Sequence, residues 1–355
     1  MLSARAAGDF IRRNRIYILM LVLIAAFEVI FALYPIKHDK PAEDDKKAGR
    51  LLTAEEISAQ EARIKELLSN NRPLAFALSA STFACSAALM FGLVLLVKRL
   101  TRKLNGFDMM PGIGSPPDVK WGIIDIFRII IVFYFLGYLL QGIELAAAGF
   151  MGVKDVDEKL FTVINATLMD IAGLLIVLYF VLRKFNGRCA DLGLAAKNIF
   201  RDIKIGLGGY LMLIPLLAVI MIFVLLALRI FNYEPNETKA LEILYETNRP
   251  KLLLVLTGLV TLLGPVMEEL FFRGFAYPVV KKKIGARNAI ILVSLVFSML
   301  HLNIVSFFPI LALGILLAYL YEKTGSLIPC IAVHVVHNTA VVFFVFLYKM
   351  IALPR

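Results

Sequence analysis

Long apolar stretches broken by short polar ones repeat along this chain, at about 16–35, 74–97, 121–148, 161–182, 205–229, 251–280, 288–304, 307–321 and 327–348. All but 288–304 and 307–321 reach the ~20 residues that a membrane-crossing helix needs. None shows the in–out alternation of a transmembrane β-strand. The pattern predicts an all-α, polytopic transmembrane helix bundle of eight or nine spans, without an internal repeat.

The polar breaks carry information of their own. Residues 36–72 hold eight basic and eight acidic side chains. Within them Thr53-Ala54-Glu55-Glu56 has the spacing of a capping box, in which a hydroxyl and a carboxylate each satisfy an amide at the helix start. That predicts a polar helix over about 54–68, between the first two spans. Its apolar positions Ile57, Ile64 and Leu68 form only a narrow stripe, so the segment reads as a solvated cap. Residues 104–120, with Gly106, Gly112, Gly114 and Pro116-Pro117, oppose any continuous helix. A boundary is expected there, separating a two-span module over 1–115 from a core over 116–355.

Composition agrees with the pattern. The chain of 355 residues is 60% hydrophobic, with a mean hydropathy of +0.80, against ~45–50% apolar residues in soluble domains. A formal charge of +11 could point to nucleic acid, but the Lys and Arg fall in the short breaks. That is the positive-inside bias of membrane proteins, and it argues against a nucleic-acid partner. Arg12, Arg13 and Arg15 place the N-terminus in the cytoplasm. Lys98 to Lys120, Arg183 to Lys204, Lys281-Lys282-Lys283 with Arg287, and Lys323 fall on the same side. The break at 230–250, with Glu234, Glu237, Glu242 and Glu246, lies outside. The first apolar run is longer than a signal-peptide core and lacks a small-x-small site, so it reads as an uncleaved anchor. The expected location is a bacterial plasma membrane. Cys85, Cys189 and Cys330 are widely separated, which supports neither a disulfide framework nor a zinc–thiolate site.

One apolar stretch contains charges that composition does not explain. Gly264-Pro-Val-Met-Glu-Glu-Leu-Phe-Phe-Arg-Gly274 sets two carboxylates and a guanidinium where each costs at least ~2.5–3.5 kcal/mol at the bilayer centre. Glu269 and Arg273 are four apart on one helix face, the spacing of an ion pair. Glu268 is rotated ~100° from Glu269, which leaves it without that cation and available as a general base. Gly264-Pro265 removes an amide donor and is expected to bend the helix and open backbone beside the carboxylates. Glu28, Arg128, Glu144 and Asp170, by contrast, each stand alone in their spans, and pairing within the bundle or snorkelling is expected of them.

Two further stretches reach the same depth. If 281–287 is a turn, Glu268 and His301 lie equally far from it, ~20 Å along two antiparallel helices. His334 and Asn338 descend to a similar level from the next turn at Glu322-Lys-Thr-Gly325. They share a face by their i,i+4 spacing, as do Phe297 and His301, so the phenyl ring can wall the imidazole. His337 could approach the site or be structural. A carboxylate, two imidazoles and a carboxamide from separate helices at one layer predict a site.

Glu268-Glu269-x-x-x-Arg273, Phe297-x-x-x-His301 and His334-x-x-x-Asn338 resemble, in order, the three motifs of the CPBP family. That family comprises the type II CAAX-prenyl endopeptidases and the bacterial bacteriocin-processing or Abi proteins. Gly314-Ile-Leu-Leu-Ala-Tyr-Leu-Tyr-Glu-Lys-Thr-Gly-Ser326 and Asp191-Leu-Gly-Leu194 are similar to it as well. The likeness covers about 190–345 and leaves 1–115 outside. It implies a glutamate-dependent intramembrane endopeptidase in which Glu268 and His301 bind and deprotonate a water. His334 and Asn338 would donate to the oxyanion, and Glu269 and Arg273 would support the geometry.

The substrate would be a membrane-associated protein or peptide within the bilayer, not necessarily prenylated. No cofactor is required by this scheme. A zinc-dependent variant would use Glu268, His301 and His334 with a water, although no HExxH is present. Two other readings compete: a non-catalytic membrane protein, such as a bacteriocin-immunity factor or a sensor-kinase scaffold, and a transporter. Intact motifs disfavour the first, and the lack of inverted repeats disfavours the second. Oligomeric state is open.

Overall fold

The computed structural model describes residues 4–33, 62, 64–104, 112–151, 157–195, 198–233 and 238–352. Every regular element among them is helical: α1 (Ala4–Leu33), α2 (Arg72–Leu104), α3 (Ile123–Met151), α4 (Glu158–Leu178), α5 (Ile199–Ile230), α6 (Lys239–Glu246), α7 (Pro250–Gly258), α8 (Gly264–Glu269), α9 (Tyr277–Met299), α10 (Ile304–Thr324) and α11 (Ile328–Ala352). Seven helices are long and apolar enough to cross a membrane by length and composition, and the protein is an integral membrane protein. The beginning of the expected helix at 54–68 lies outside the described residues; 64–70 are helical.

One of the seven candidates runs from Pro250 to Met299, 50 residues. A straight helix of that size would measure ~75 Å, more than twice the ~30 Å hydrocarbon core. It is not straight. Gly285, at φ 79° and ψ 163°, breaks α9 in a conformation that a Cβ would disfavour. The rings of Phe272 and Phe297, on either side of this break, lie 5.1 Å apart, so the chain folds back into the expected hairpin. Lys281 and Tyr277 near the turn both donate to Glu322 of α10, at 2.8 and 2.9 Å. Among the described residues each of the nine apolar stretches contains a helix, although α1 is not among the seven candidates.

The described elements divide into two units, α1, α3 and α4 in one and α2 with α5 to α11 in the other. Within these units α1 packs on α3, and α2 on α5.

In the first unit, Asp125 accepts from Arg128 at 2.7 Å, from Lys184 at 2.8 Å and from the amide of Gly122 at 3.1 Å. Arg128 also donates to Asn14 of α1 at 2.9 and 3.1 Å. Glu28 accepts from Tyr138, and Glu144 from Asn165 at 2.8 Å. Arg128, Glu28 and Glu144 are thus paired within the bundle, as expected of them. Asp125 stands three residues before Arg128, a spacing visible in the sequence, whereas Asn14, Tyr138 and Asn165 sit on other helices, where sequence spacing does not show them.

In the second unit, α6 was not predicted: eight residues in a polar break give too short a period to read. It buries Ile243 and Leu244, and Lys349 of α11 donates to the carbonyls of Leu244 and Thr247 at its end, at 3.3 and 2.5 Å. Asp191-Leu-Gly-Leu194 also has a structural reason. Gly193 adopts φ +85°, and a Cβ there would lie 2.7 Å from the ring of Tyr321. The Tyr321 hydroxyl donates to the Leu192 carbonyl, and the amide of Leu327 to that of Gly193. This knot fixes the turn from which α11 starts toward His334.

Candidate active site

The carboxylates stand on α8, a single α-helical stretch set between two π-helical turns, Leu259–Leu263 and Leu270–Ala276. The first turn has a traceable cause. In π register the amide of Gly264 donates to the carbonyl of Leu259, five residues back. The next residue, Pro265, has no amide to give, so the carbonyl of Val260 is left without its helical donor. The side chain of Asn338 supplies one instead, Nδ2 to Val260 O at 2.8 Å. Backbone opened by Gly264-Pro265 is therefore closed by a residue of the third motif.

Glu269 and Arg273 are both fully buried, Nη1 to Oε1 at 2.5 Å, the expected i,i+4 pair. Arg273 also donates to the carbonyl of Gly314 on α10 at 3.3 Å, and its guanidinium carbon lies 4.4 Å from the centre of the Phe297 ring. A charge removed from water is kept only when paired and hydrogen-bonded on several sides. Here Glu269, α10 and an aromatic face surround it.

His334 of α11 joins this pair. Its Nδ1 lies 2.8 Å from Glu269 Oε1 and its Nε2 3.6 Å from Glu268 Oε2. A carboxylate only accepts, so the Nδ1 proton is the one donated to Glu269, and Nε2 is the nitrogen presented to Glu268. The distance to Glu268 is too long for a direct hydrogen bond. The burial of the two carboxylates differs sharply: the Glu269 side chain is 0% exposed and that of Glu268 is 32% exposed. Glu269 is locked into the protein, and Glu268 faces open space.

His301 lies just beyond its helix rather than within it. α9 ends at Met299, and Asn303 starts α10 by accepting from the amides of Val305 and Ser306, both at 3.0 Å. The short connection contains Leu302 at φ 49° and is tied by Ser298 Oγ donating to the Phe307 carbonyl at 2.5 Å. Nδ1 of His301 lies 2.9 Å from the Phe297 carbonyl, and the two rings have centres 4.9 Å apart. The same phenyl ring meets His334 edge-on at 5.8 Å. Phe297 is thus a common wall for both imidazoles and the guanidinium. His337 points elsewhere, its Nδ1 2.9 Å from the hydroxyl of Tyr210 on α5.

Sequence reasoning did not find the carbonyls of Val260 and Gly314 or the Tyr210 hydroxyl. Proline at 265 was the available signal for the first. Nothing local marks the other two, because their role comes from helix packing. Among the described residues no three His, Cys, Asp or Glu side chains are grouped to hold a metal ion. His334 Nδ1 is engaged by Glu269, and His301 Nδ1 by a backbone carbonyl.

The arrangement can orient an imidazole through a buried carboxylate and present it, beside a second and more exposed carboxylate, to a polar ligand. Residues 250–340, which contain all of these groups, match the family model described as type II CAAX prenyl endopeptidase Rce1-like. This segment is similar to the Rce1-like domains. The family matched is one of CAAX-type endopeptidases, and the likeness runs from α7 to about the middle of α11. Neither the curated proteins nor the solved structures gave a match to the chain.

Proposed function

We propose that this Rce1-like segment hydrolyses a peptide bond of a membrane-associated protein or peptide, with Glu268 taking a proton from the attacking water. The observation that carries this reading is the unequal pair of neighbours. Glu269 is fully buried and holds both Arg273 and His334, while Glu268, a third exposed, faces the other nitrogen of the same imidazole. The contacts of His301 fit a second base. Its Nδ1–H donates to the Phe297 carbonyl, which leaves Nε2 as the acceptor in the neutral ring.

Asn338 uses one N–H on Val260 and retains another for the oxyanion. For His334 to donate there, Nε2 must carry a proton, whose charge the flanking carboxylates would balance. Preorganised donors of this kind are worth ~2.7–4 kcal/mol each to the transition state. The scheme needs no metal, so dialysis against a chelator is expected to leave the rate unchanged. In this proposal the N-terminus lies in the cytoplasm of a bacterial cell, a side supported by the basic residues Arg12, Arg13 and Arg15, and the substrate enters from the bilayer.

The test is co-expression of an anchored candidate substrate with wild type, Glu268→Gln or Glu268→Ala at matched levels. Uncleaved substrate should accumulate with both variants. Processing at the wild-type rate by Glu268→Gln would end this reading.

A further inference from the structure

A concavity of the second unit lies away from the carboxylates. It is a cavity of about 1090 Å³ between α5 and α10, bordered by Leu96 of α2 and Ile290 of α9. Its walls are almost wholly apolar, with Met212, Leu216 and Ile220 on one side and Leu311 and Ile315 on the other. The volume lies above the ~300–1,000 Å³ of clefts that hold compact small molecules. Along α10 the lining runs from Phe308 to Lys323, ~22 Å of helix at ~1.5 Å per residue. Half of a ~30 Å hydrocarbon core is ~15 Å deep, so an extended hydrocarbon chain entering at one end stays within the walls for its whole length.

The polar atoms gather at that end. Lys323 is the one charged residue of the lining, and its ammonium lies 5.8 Å from the ring centre of Tyr319, one turn deeper. Leu96 precedes Arg99 by three residues, so the same face of α2 ends in a second cation. An apolar trough with basic and phenolic donors at a single end matches an amphiphile whose head is anionic and whose tail is hydrocarbon. A protein helix would bring side chains of mixed character along the whole length and has no reason to concentrate its complement at Lys323.

We propose that this groove is the seat of one anionic membrane phospholipid, with an acyl chain between α5 and α10 and its phosphate at Lys323 and Tyr319. The groove is distinct from the carboxylate site. Gly314, which receives Arg273, lies on the side of α10 packed against Ser294 and Phe297. Leu311, Ile315 and Tyr319 succeed one another at four-residue spacing on a flank turned ~60–140° from Gly314.

The experiment uses the full chain in detergent, titrated with dioleoyl phosphatidylglycerol or dioleoyl phosphatidylcholine and read by native mass spectrometry. Wild type is expected to retain phosphatidylglycerol about fivefold better, the weight of one basic residue at a lipid surface. Lys323→Gln should bring that ratio to about one, and Ala312→Trp, which fills the trough, should reduce retention of both lipids. A second measurement does not depend on the Ala312 variant folding. In a Trp121→Phe/Ile315→Trp chain, brominated phosphatidylglycerol should quench fluorescence at lower mole fraction than brominated phosphatidylcholine, and adding Lys323→Gln should superimpose the curves. Equal retention of the two lipids by wild type, an unchanged preference in Lys323→Gln, or a lipid-free dimer would overturn the proposal.

Discussion

Each unit of this protein pairs an arginine with a carboxylate inside its helices, and the two pairs are completed differently. In the first unit the carboxylate of Asp125 meets two cations and an amide, and Arg128 spends its remaining donors on Asn14. Acid is outnumbered, each of these groups is engaged, and three helices are tied together. In the second unit Arg273 is shared by one glutamate, a carbonyl and an aromatic face, while a second glutamate stands next in sequence without a cation of its own class. A cluster that saturates its charges serves as a joint. A cluster that keeps one carboxylate in surplus and partly exposed retains something to react with.

The strongest way to break this comparison is to neutralise the surplus group. Glu268→Gln should lower the cleavage rate by ~10²–10⁴, the usual weight of a general base, with no loss of thermal stability. Rate is checked on purified protein with a processed membrane substrate, and stability by thermal unfolding in the same detergent. Removing the locked partner should do the reverse first. Arg273→Ala leaves Glu269 charged and 0% exposed, and stranding a buried charge costs ~3–5 kcal/mol. Folded yield should collapse, and any surviving fraction should unfold far below wild type. Stable accumulation of Arg273→Ala would show that the pair is not a joint.

A smaller effect is expected in the first unit. Asp125→Asn leaves Arg128 and Lys184 with weaker acceptors at a site 11% exposed on the acid side, at a cost of ~1–3 kcal/mol. Cleavage per folded molecule should stay at the wild-type value. A rate that falls with Asp125→Asn at full folding would mean that the first unit contributes to chemistry.

Much of this contrast was legible in the sequence because it rests on spacing within one helix. The i,i+4 relation of Glu269 and Arg273, the rotation of Glu268 and the contact of Phe297 with His301 could all be read from helical spacing, although Arg273 sits in a π-helical turn and His301 just past the end of α9. The hairpin was legible from the lysine-rich break, and Gly285 supplies its turn. What could not be read depends on which helices touch. The choice of Gly314 as acceptor for Arg273, the pairing of Arg128 with Asn14 at 114 positions' distance, and the packing of α1 on α3 and of α2 on α5 are tertiary facts without a local period. The placement of His301 fell between: its level follows from counting, but the end of α9 two residues earlier is set by Asn303 capping the next helix.

The smallest expected effect decides where His337 belongs. It shares α11 with His334, and a protease reading built on imidazoles could recruit it. Its Nδ1, however, lies 2.9 Å from the Tyr210 hydroxyl, with the two rings edge to face at 5.9 Å. By the criterion drawn from the two clusters, a group engaged by a partner from another helix is a joint, here between α5 and α11. Tyr210→Phe keeps the ring contact and deletes the hydroxyl, so it should cost ~0.5–1.5 kcal/mol of stability and leave the rate within twofold. Both are read on one preparation, the melting temperature and the initial velocity. A tenfold loss of rate at unchanged stability would move His337 into the catalytic layer and show that engagement by a neighbour does not, in this bundle, separate joints from reactive groups.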